Sequence, residues 1–479
     1  MMTAAPSPLD AAALPPVPAR LHFIGIGGIG MSGLARILAA EGYRISGSDV
    51  AGSELTEQLA AEGIAVTIGH DRTDAVGAAD LIVVTAAMRP DNPEMTVALA
   101  GQTPVIKRAA LLGFLANARH QLAVAGSHGK STTAGMLVAA LRSLGADPTY
   151  AIGAVLAATG TNAAPGAGDL MVVEADEYDY SFLHLTPDIA IITNIDYDHP
   201  DLFPDQVAYD RAFARFTTNV RADGVIVAAI DDSGCARLLS SGAIPSSVTI
   251  VTVGETDDAE WCLTGREGDW RVRLPGGEER AMPLGVPGRH NARNATAALA
   301  ALAALGYDAA AALAAVGAFT GVGRRFELKG EVAGVMVIDD YAHHPRELRA
   351  ALLAARERFP DRRRWAVFQP HTFSRTKALL DDFAGSFSDA DRVMILDVYA
   401  ARETDALGIS ARDLIAKLPA PGVLARGPGD AATRLATLVE PGDVVLTLGA
   451  GDVTTVGPKL LNLLRRDREG APNRPESSR

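Results

Sequence analysis

Residues 121–133 read QLAVAGSHGKSTT. The apolar run from Leu122 to Ala125 has the length and composition of a buried strand, and the pattern predicts a helix over roughly residues 131–144. Between them lies a glycine loop, Gly126-Ser127-His128-Gly129-Lys130-Ser131-Thr132. In such a loop consecutive amides wrap phosphate oxygens, the lysine adds a point charge, and the serine hydroxyl can hold Mg²⁺. It is a shortened form of the GxxxxGK[ST] pattern, because the position of that pattern's first glycine is Val124. Only six of the 44 Lys and Arg residues are lysine, so a lysine at this point of the loop argues for phosphate binding over a tight turn.

A triphosphate loop needs acids for its metal. The run Met171 to Val173 carries Glu174 and Asp176 to the end of a strand, and the run from Ile189 ends at Asn194, with Asp198 and His199 soon after. In open α/β sheets ligands gather at such carboxyl ends. Carboxylate with imidazole can hold Mg²⁺, although histidine is an unusual ligand for so hard a cation. A second glycine loop, Gly25-x-Gly27-Gly28-x-Gly30, follows the strand LHFI and precedes the helix MSGLARILAA, with Asp49 ending the next strand. That βαβ unit suits a diphosphate at a helix N-terminus, and by itself is open to a nicotinamide dinucleotide, as in an NAD-dependent oxidoreductase, or to a UDP-sugar.

The rest of the chain extends the alternation. The stretch 79–87 reads as a strand, residues 247–285 as antiparallel strands, the alanine-rich stretch from Asn294 as two helices, and residues beyond 323 as a further alternating α/β unit. His290-Asn291-x-x-Asn294 opens the first alanine-rich helix, where an asparagine serves an adenine edge or a helix cap. Gly323-Arg324-Arg325-Phe326, the run from Asp339 to Pro345 and Pro370-His371-x-x-x-Arg375 fall at strand or domain ends. With His128 and His199, six of the ten histidines lie in the motifs quoted so far.

The bulk numbers set limits. With 479 residues, about three domains are expected; 48% hydrophobic and 21% charged residues is a globular composition. A net charge of −13 argues against a nucleic-acid or anionic-lipid surface. Two cysteines are too few for a disulfide framework, and no apolar run spans a bilayer, so a cytoplasmic enzyme is expected. No nucleophile elbow of the GxSxG kind stands in a suitable context.

Taken together, GIGGIGMSGLA, AGSHGKSTT, EADEYDYSFLHL, TNIDYDH, HNARNATAA, GRRFE, DDYAHHP and QPHTFSRT, in that order, resemble the Mur ligase family over about residues 21–466. The resemblance implies three α/β domains: a Rossmann-like UDP-sugar domain (21–115), a central P-loop ATPase domain (116–322) and a Rossmann-like C-terminal amino-acid domain (323–466), between flexible tails 1–20 and 467–479. It implies ATP-dependent joining of L-alanine to the lactyl carboxylate of UDP-N-acetylmuramate through an acyl phosphate, in peptidoglycan precursor synthesis, by a monomer or homodimer. Carried over, the phosphate-binding lysine falls on Lys130, the metal ligands on Ser131, Glu174 and His199, the adenine contact on Asn294, and the C-terminal-domain arginine and aspartate toward ATP on Arg325 and Asp340. Tyr341, His343, His371 and Arg375 match positions that hold and align the amino acid, and Gly25, Gly27, Gly28, Gly30 and Asp49 match the UDP-sugar loop. The chain departs from the family's usual Thr-His-Gly-Lys-Thr at Ser127 and Ser131, which keep the hydroxyls. It also carries Tyr178 where alanine-adding members more often have serine, a feature of the recycling ligases that attach a tripeptide to the same UDP-sugar.

Overall fold

Residues 13–85, 88, 91–101, 103–401 and 403–470 are described by the computed structural model. The first βαβ unit grows into a five-stranded parallel sheet from β1 (Arg20–Ile24), β2 (Arg44–Asp49), β3 (Ala65–Ile68), β4 (Leu81–Val84) and β5 (Val105–Lys107), in the order β3-β2-β1-β4-β5. Strand order reverses between β1 and β4, so the glycine loop leaving β1 lies at the switch point where doubly wound sheets open a crevice. Helix Ile29–Ala40 turns Leu34, Ile37 and Leu38 into the core. Of the stretch read as one strand over 79–87, only Leu81–Val84 is strand; Ala86 and Ala87 fall outside the described residues. The expected tail 1–20 is corrected in its described part. Leu14 packs on the core, Ala19 is buried and Tyr43 Oη donates to Pro15 O at 3.0 Å, because this segment carries apolar side chains that the sheet can cover.

The middle unit contains β6 (His120–Ala125), β7 (Thr149–Ala151), β8 (Ala163–Ala164), β9 (Leu170–Glu174), β10 (Ile189–Ile192), β11 (Val225–Ala229), β12 (Thr249–Gly254), β13 (Trp261–Arg266), β14 (Asp269–Arg273) and β15 (Glu279–Ala281). They form one ten-stranded sheet in the order β15-β14-β13-β12-β11-β10-β6-β9-β7-β8. The expectation of antiparallel strands over 247–285 holds only from β13 onward. β12 pairs parallel with β11 and β13 parallel with β12; the antiparallel pairs are β13–β14 and β14–β15. The reason is the crossover helix Ser233–Ser240, which brings the chain back to start β12 in the same direction as β11. Helix Lys130–Ser143 and the alanine-rich helices Arg289–Ala304 and Ala309–Gly317 cover one face, sharing a core with Leu122, Val124 and Ile191. Each fully buried Leu or Ile there contributes ~1.5–3 kcal/mol, which fixes the helix that carries the phosphate loop.

The C-terminal sheet contains β16 (Glu327–Val332), β17 (Val335–Asp340), β18 (Arg363–Phe368), β19 (Arg392–Leu396), β20 (Val423–Ala425) and β21 (Asp443–Leu448), in the order β16-β17-β21-β18-β19-β20. It is parallel except for β16. Helix Pro345–Arg358 packs on one face; helices Pro428–Leu438 and Val456–Gly470 pack on the other. The last helix runs through 466, so the expected tail 467–479 begins as helix, and residues 471–479 lie outside the described residues. Among the described residues no helix is long and apolar enough to cross a membrane.

Candidate functional site

β6 ends at Ala125 and helix Lys130–Ser143 begins five residues later, so the loop between them must reverse tightly under the helix N-terminus. Two glycines make that possible. Gly126 has φ +132° and a Cβ there would sit 2.1 Å from Thr193 Oγ1; Gly129 has φ +84° and a Cβ there would sit 2.6 Å from Asn294 Oδ1. The loop is tied to the end of β10: His128 N donates to Asn194 Oδ1 at 2.9 Å, while Thr193 Oγ1 and Asn194 Nδ2 donate to His128 O at 2.6 and 2.9 Å. Ser127 Oγ donates to Asp196 O at 2.7 Å, so this hydroxyl holds the loop in shape. The first-turn amides of the helix, around Ser131 and Thr132, remain as donors at its positive end.

Lys130 folds back into the loop. Its Nζ donates to Gly126 O at 2.7 Å, Ser127 O at 3.3 Å and Glu177 Oε2 at 2.8 Å. Burial alone would depress its pKa, but the carboxylates of Glu177, Asp176 and Glu174 outweigh burial and raise it, so the ammonium stays charged. Ser131 Oγ donates to Glu174 Oε2 at 2.8 Å, and Gly153 N reaches the same oxygen at 2.7 Å. His199, at φ +55°, lies with Nε2 3.7 Å from Glu177 Oε1. Glu177 therefore links the lysine to the histidine, and Tyr209 Oη donates to it at 3.0 Å. A serine hydroxyl and a carboxylate oxygen side by side are the hard oxygen donors that Mg²⁺ takes, and His199 is tied to them through Glu177 and Lys130. The donor set fits the ion.

A cavity of about 240 Å³ opens beside the loop. Gly129, Thr132, Leu263, Asn291, Asn294 and Ala297 line it from the middle domain, and Arg325, Asp340 and Glu347 from the C-terminal domain. The cap of helix Arg289–Ala304 is Gly288, so Asn294 lies inside the helix, and the capping reading of this asparagine falls. Arg325 stacks 5.2 Å over Tyr341, whose ring also carries Arg324 at 4.8 Å. Asp340 accepts from Phe326 N and Ala342 N, both at 2.8 Å. Burial raises its pKa to about 6 against the opposing pull of Arg325.

The amino-acid residues named from the resemblance cluster at the same boundary. Arg375 Nη1 is 3.4 Å from His371 Nδ1, His371 stacks on Tyr399 at 5.6 Å, and His343 makes an edge contact with Tyr341 at 5.3 Å. Arg375 also crosses to the middle domain, where its Nε and Nη2 lie 2.9 and 2.8 Å from Asp198 Oδ1. The glycine loop expected to hold a UDP-sugar stands in the first domain: Gly25 N donates to Ser48 O at 2.8 Å, Gly27 N donates to Asp49 Oδ2 at 2.8 Å, Gly28 precedes helix Ile29–Ala40, and Gly30 lies in its first turn beside Arg108.

Three acids escaped the sequence reading as parts of this site. Glu177 stands in the EADEYD segment without a marker of its own. Asp196, with His128 and His344, forms a group whose ligand atoms lie within 4.8 Å of one another. Glu347 sits where a helix capping box is expected, and it does cap, which hides its contacts to the phosphate loop.

A glycine-loop domain stands between two doubly wound α/β domains in chain order, and residues of the third line its cavity. Three family models match in sequence order: Mur ligase family, catalytic domain, over 20–120; Mur ligase middle domain, over 124–302; and Mur ligase, glutamate ligase domain, over 324–451. The chain is 44% identical over 446 residues to the UDP-N-acetylmuramate--L-alanine ligase of Paenarthrobacter aurescens, covering 93% of this chain and 97% of that one. Among solved structures it resembles the UDP-N-acetylmuramate-alanine ligase of Thermotoga maritima (TM-score 0.77, 29% identity, 94% of this chain and 100% of that one). It also resembles a murein peptide ligase of Psychrobacter arcticus (TM-score 0.72, 25% identity, 93% and 98%). The chain belongs to the Mur ligase family.

Proposed function

We propose that this chain joins L-alanine to the lactyl carboxylate of UDP-N-acetylmuramate, converting ATP to ADP and phosphate, in the cytoplasm. The observation that carries the reading is the Arg375–Asp198 contact: the His371–Arg375 cluster of the C-terminal domain closes on the residue next to His199, at the edge of the phosphate loop. Full-length relatives named for alanine ligation support the substrate.

Gly25, Gly27, Gly28, Gly30 and Asp49 hold the UDP-sugar diphosphate at the N-terminus of helix Ile29–Ala40. Gly126, Ser127, His128, Gly129 and Thr132 shape the cradle for the ATP phosphates, Asn294 faces the base, and Arg325 and Asp340 reach phosphate and ribose from the C-terminal side. The sugar carboxylate attacks the γ-phosphorus in line, one P–O bond forming as the bond to the bridging oxygen breaks, and ADP leaves. Lys130 spreads the charge of the phosphoryl group in transfer. Ser131, Glu174 and His199 would hold Mg²⁺, whose charge neutralises phosphate oxygens when bound. Tyr341, His343, His371 and Arg375 hold the amino acid, with the guanidinium pairing its carboxylate. The amine attacks the acyl carbon and phosphate leaves. Alignment of bound reactants supplies ~7–11 kcal/mol in such reactions, and the closed cavity keeps water from the anhydride.

One observation favours a tripeptide in place of alanine: Tyr178, the residue type the recycling ligases carry here, stands beside His199 with ring centroids 5.0 Å apart and donates to Asp201 Oδ2 at 3.3 Å. Phosphate release from ATP and Mg²⁺ with UDP-N-acetylmuramate, scanned over single amino acids and the tripeptide, separates the two. Release with alanine and not with tripeptide supports the first reading; the reverse supports the second.

A further inference from the structure

Glu347 has no role in the assignments above, yet it bridges the phosphate loop and the C-terminal cluster. Its Oε1 lies 3.3 Å from His128 Nδ1 in the phosphate loop and 3.5 Å from Arg325 Nη1, and its Oε2 lies 3.3 Å from His343 Nδ1. Oε2 also accepts His343 N at 3.0 Å and His344 N at 3.3 Å. The carboxylate is buried and ionised: burial opposes the charge, but His343, His128 and Arg325 hold its pKa well below the usual carboxylate range.

The geometry decides the tautomer of His343. Its Nδ1 faces two acceptors, Tyr341 O at 3.0 Å and Glu347 Oε2 at 3.3 Å, so Nδ1 carries the hydrogen. Nε2 then presents a lone pair, and among the described residues it takes part in no hydrogen bond. We infer that Glu347 is a positioning residue that fixes His343 as a proton acceptor for the incoming amine, a carboxylate–histidine pair at the mouth of the phosphate site. The inference rests on the ligase reading above.

Nε2 of His343 takes one proton from the ammonium of the amino acid; the freed lone pair forms the C–N bond to the acyl phosphate; the C–O bond to phosphate breaks with its electron pair; the second nitrogen proton goes with the departing phosphate. Burial first, then the charge of Arg375, keep His343 neutral, with its pKa lowered to about 3, while Glu347 and Asp198 act in the opposite direction. Neutrality lets an ammonium approach, and Glu347 and Asp198 are the charges that favour the proton on the ring as it moves, against burial and Arg375. A carboxylate behind the ring stabilises the imidazolium that forms.

Hydroxylamine separates this role from a structural one, because it is already unprotonated at neutral pH and attacks an acyl phosphate without a base. Glu347→Gln keeps an oxygen for the capping amides. With ATP, Mg²⁺ and UDP-N-acetylmuramate, it is expected to lose on the order of a hundredfold in alanine-dependent kcat. Hydroxylamine-dependent phosphate release should fall by about tenfold less than the alanine-dependent rate, because both reactions share the phosphoryl transfer that the contacts of Glu347 to His128 and Arg325 serve. His343→Gln should lose alanine-dependent turnover to a similar degree, and the double variant should fall no further than either single one. Equal losses with both nucleophiles, or none with alanine, overturn the inference. Failure of the parent chain to release phosphate with hydroxylamine and the UDP-sugar overturns the ligase reading instead.

Discussion

Arg375 and Asp198 meet across the boundary between the C-terminal and middle domains, with two guanidinium nitrogens on the single oxygen Oδ1, and both side chains are 5% exposed or less. His199 N donates to that same oxygen at 2.7 Å. The His371–Arg375 cluster and His199 are therefore held to one atom. The Arg375 charge, acting against burial, holds the Asp198 pKa far below the usual carboxylate range. Asp198→Ala leaves a buried guanidinium without its partner, at a cost of ~3–5 kcal/mol. Urea unfolding of the nucleotide-free chain should show a loss of that order, and an unchanged midpoint would mean that the pair contributes nothing to holding the domains together.

Lys130→Ala should abolish phosphoryl transfer while UDP-sugar binding, measured by calorimetry, stays within about twofold, because the UDP-type loop stands in a separate domain. Substantial residual turnover would remove the lysine from the phosphate role.

Gly129→Ala forces an L side chain into φ +84° with its Cβ 2.6 Å from Asn294 Oδ1. Strain of this kind costs ~1–3 kcal/mol. Both the loop and the asparagine shift, so KM for ATP should rise about tenfold or more with KM for alanine little changed, which steady-state kinetics resolves.

His128 titrates in an informative direction. Burial would lower its pKa, but its hydrogen bonds to Asp196 and Glu347 raise it from 6.5 to about 9. The charged form is favoured in the folded chain, so this stabilisation is complete below the unfolded value near pH 6.5 and is lost as pH rises through about 9. Unfolding free energy should fall by on the order of 1–3 kcal/mol across that window, and His128→Gln should flatten the slope. Equal slopes in the two chains would contradict the assignment.

Residues adjacent in sequence were the legible ones. Gly126 to Thr132 and the acids at strand ends announce themselves, because a strand, a turn and a helix start impose local residue choices. The parallel course of β12 was hidden by its glycine-rich neighbourhood, since strand direction depends on the crossover helix before it. Asn294 was ambiguous until Gly288 proved to be the cap. The Arg375–Asp198 pair joins positions 177 residues apart, and no local pattern encodes it. Glu347 satisfies a capping box, so its local signal has a complete explanation that conceals the long-range one.

Transfer of the terminal phosphoryl group to the sugar-borne carboxylate is tested most directly by an isotope. With both lactyl carboxylate oxygens of UDP-N-acetylmuramate labelled with oxygen-18, turnover with ATP and alanine should deliver one labelled oxygen to each phosphate released. Phosphate free of label, with both labelled oxygens accounted for elsewhere, would contradict the acyl-phosphate route.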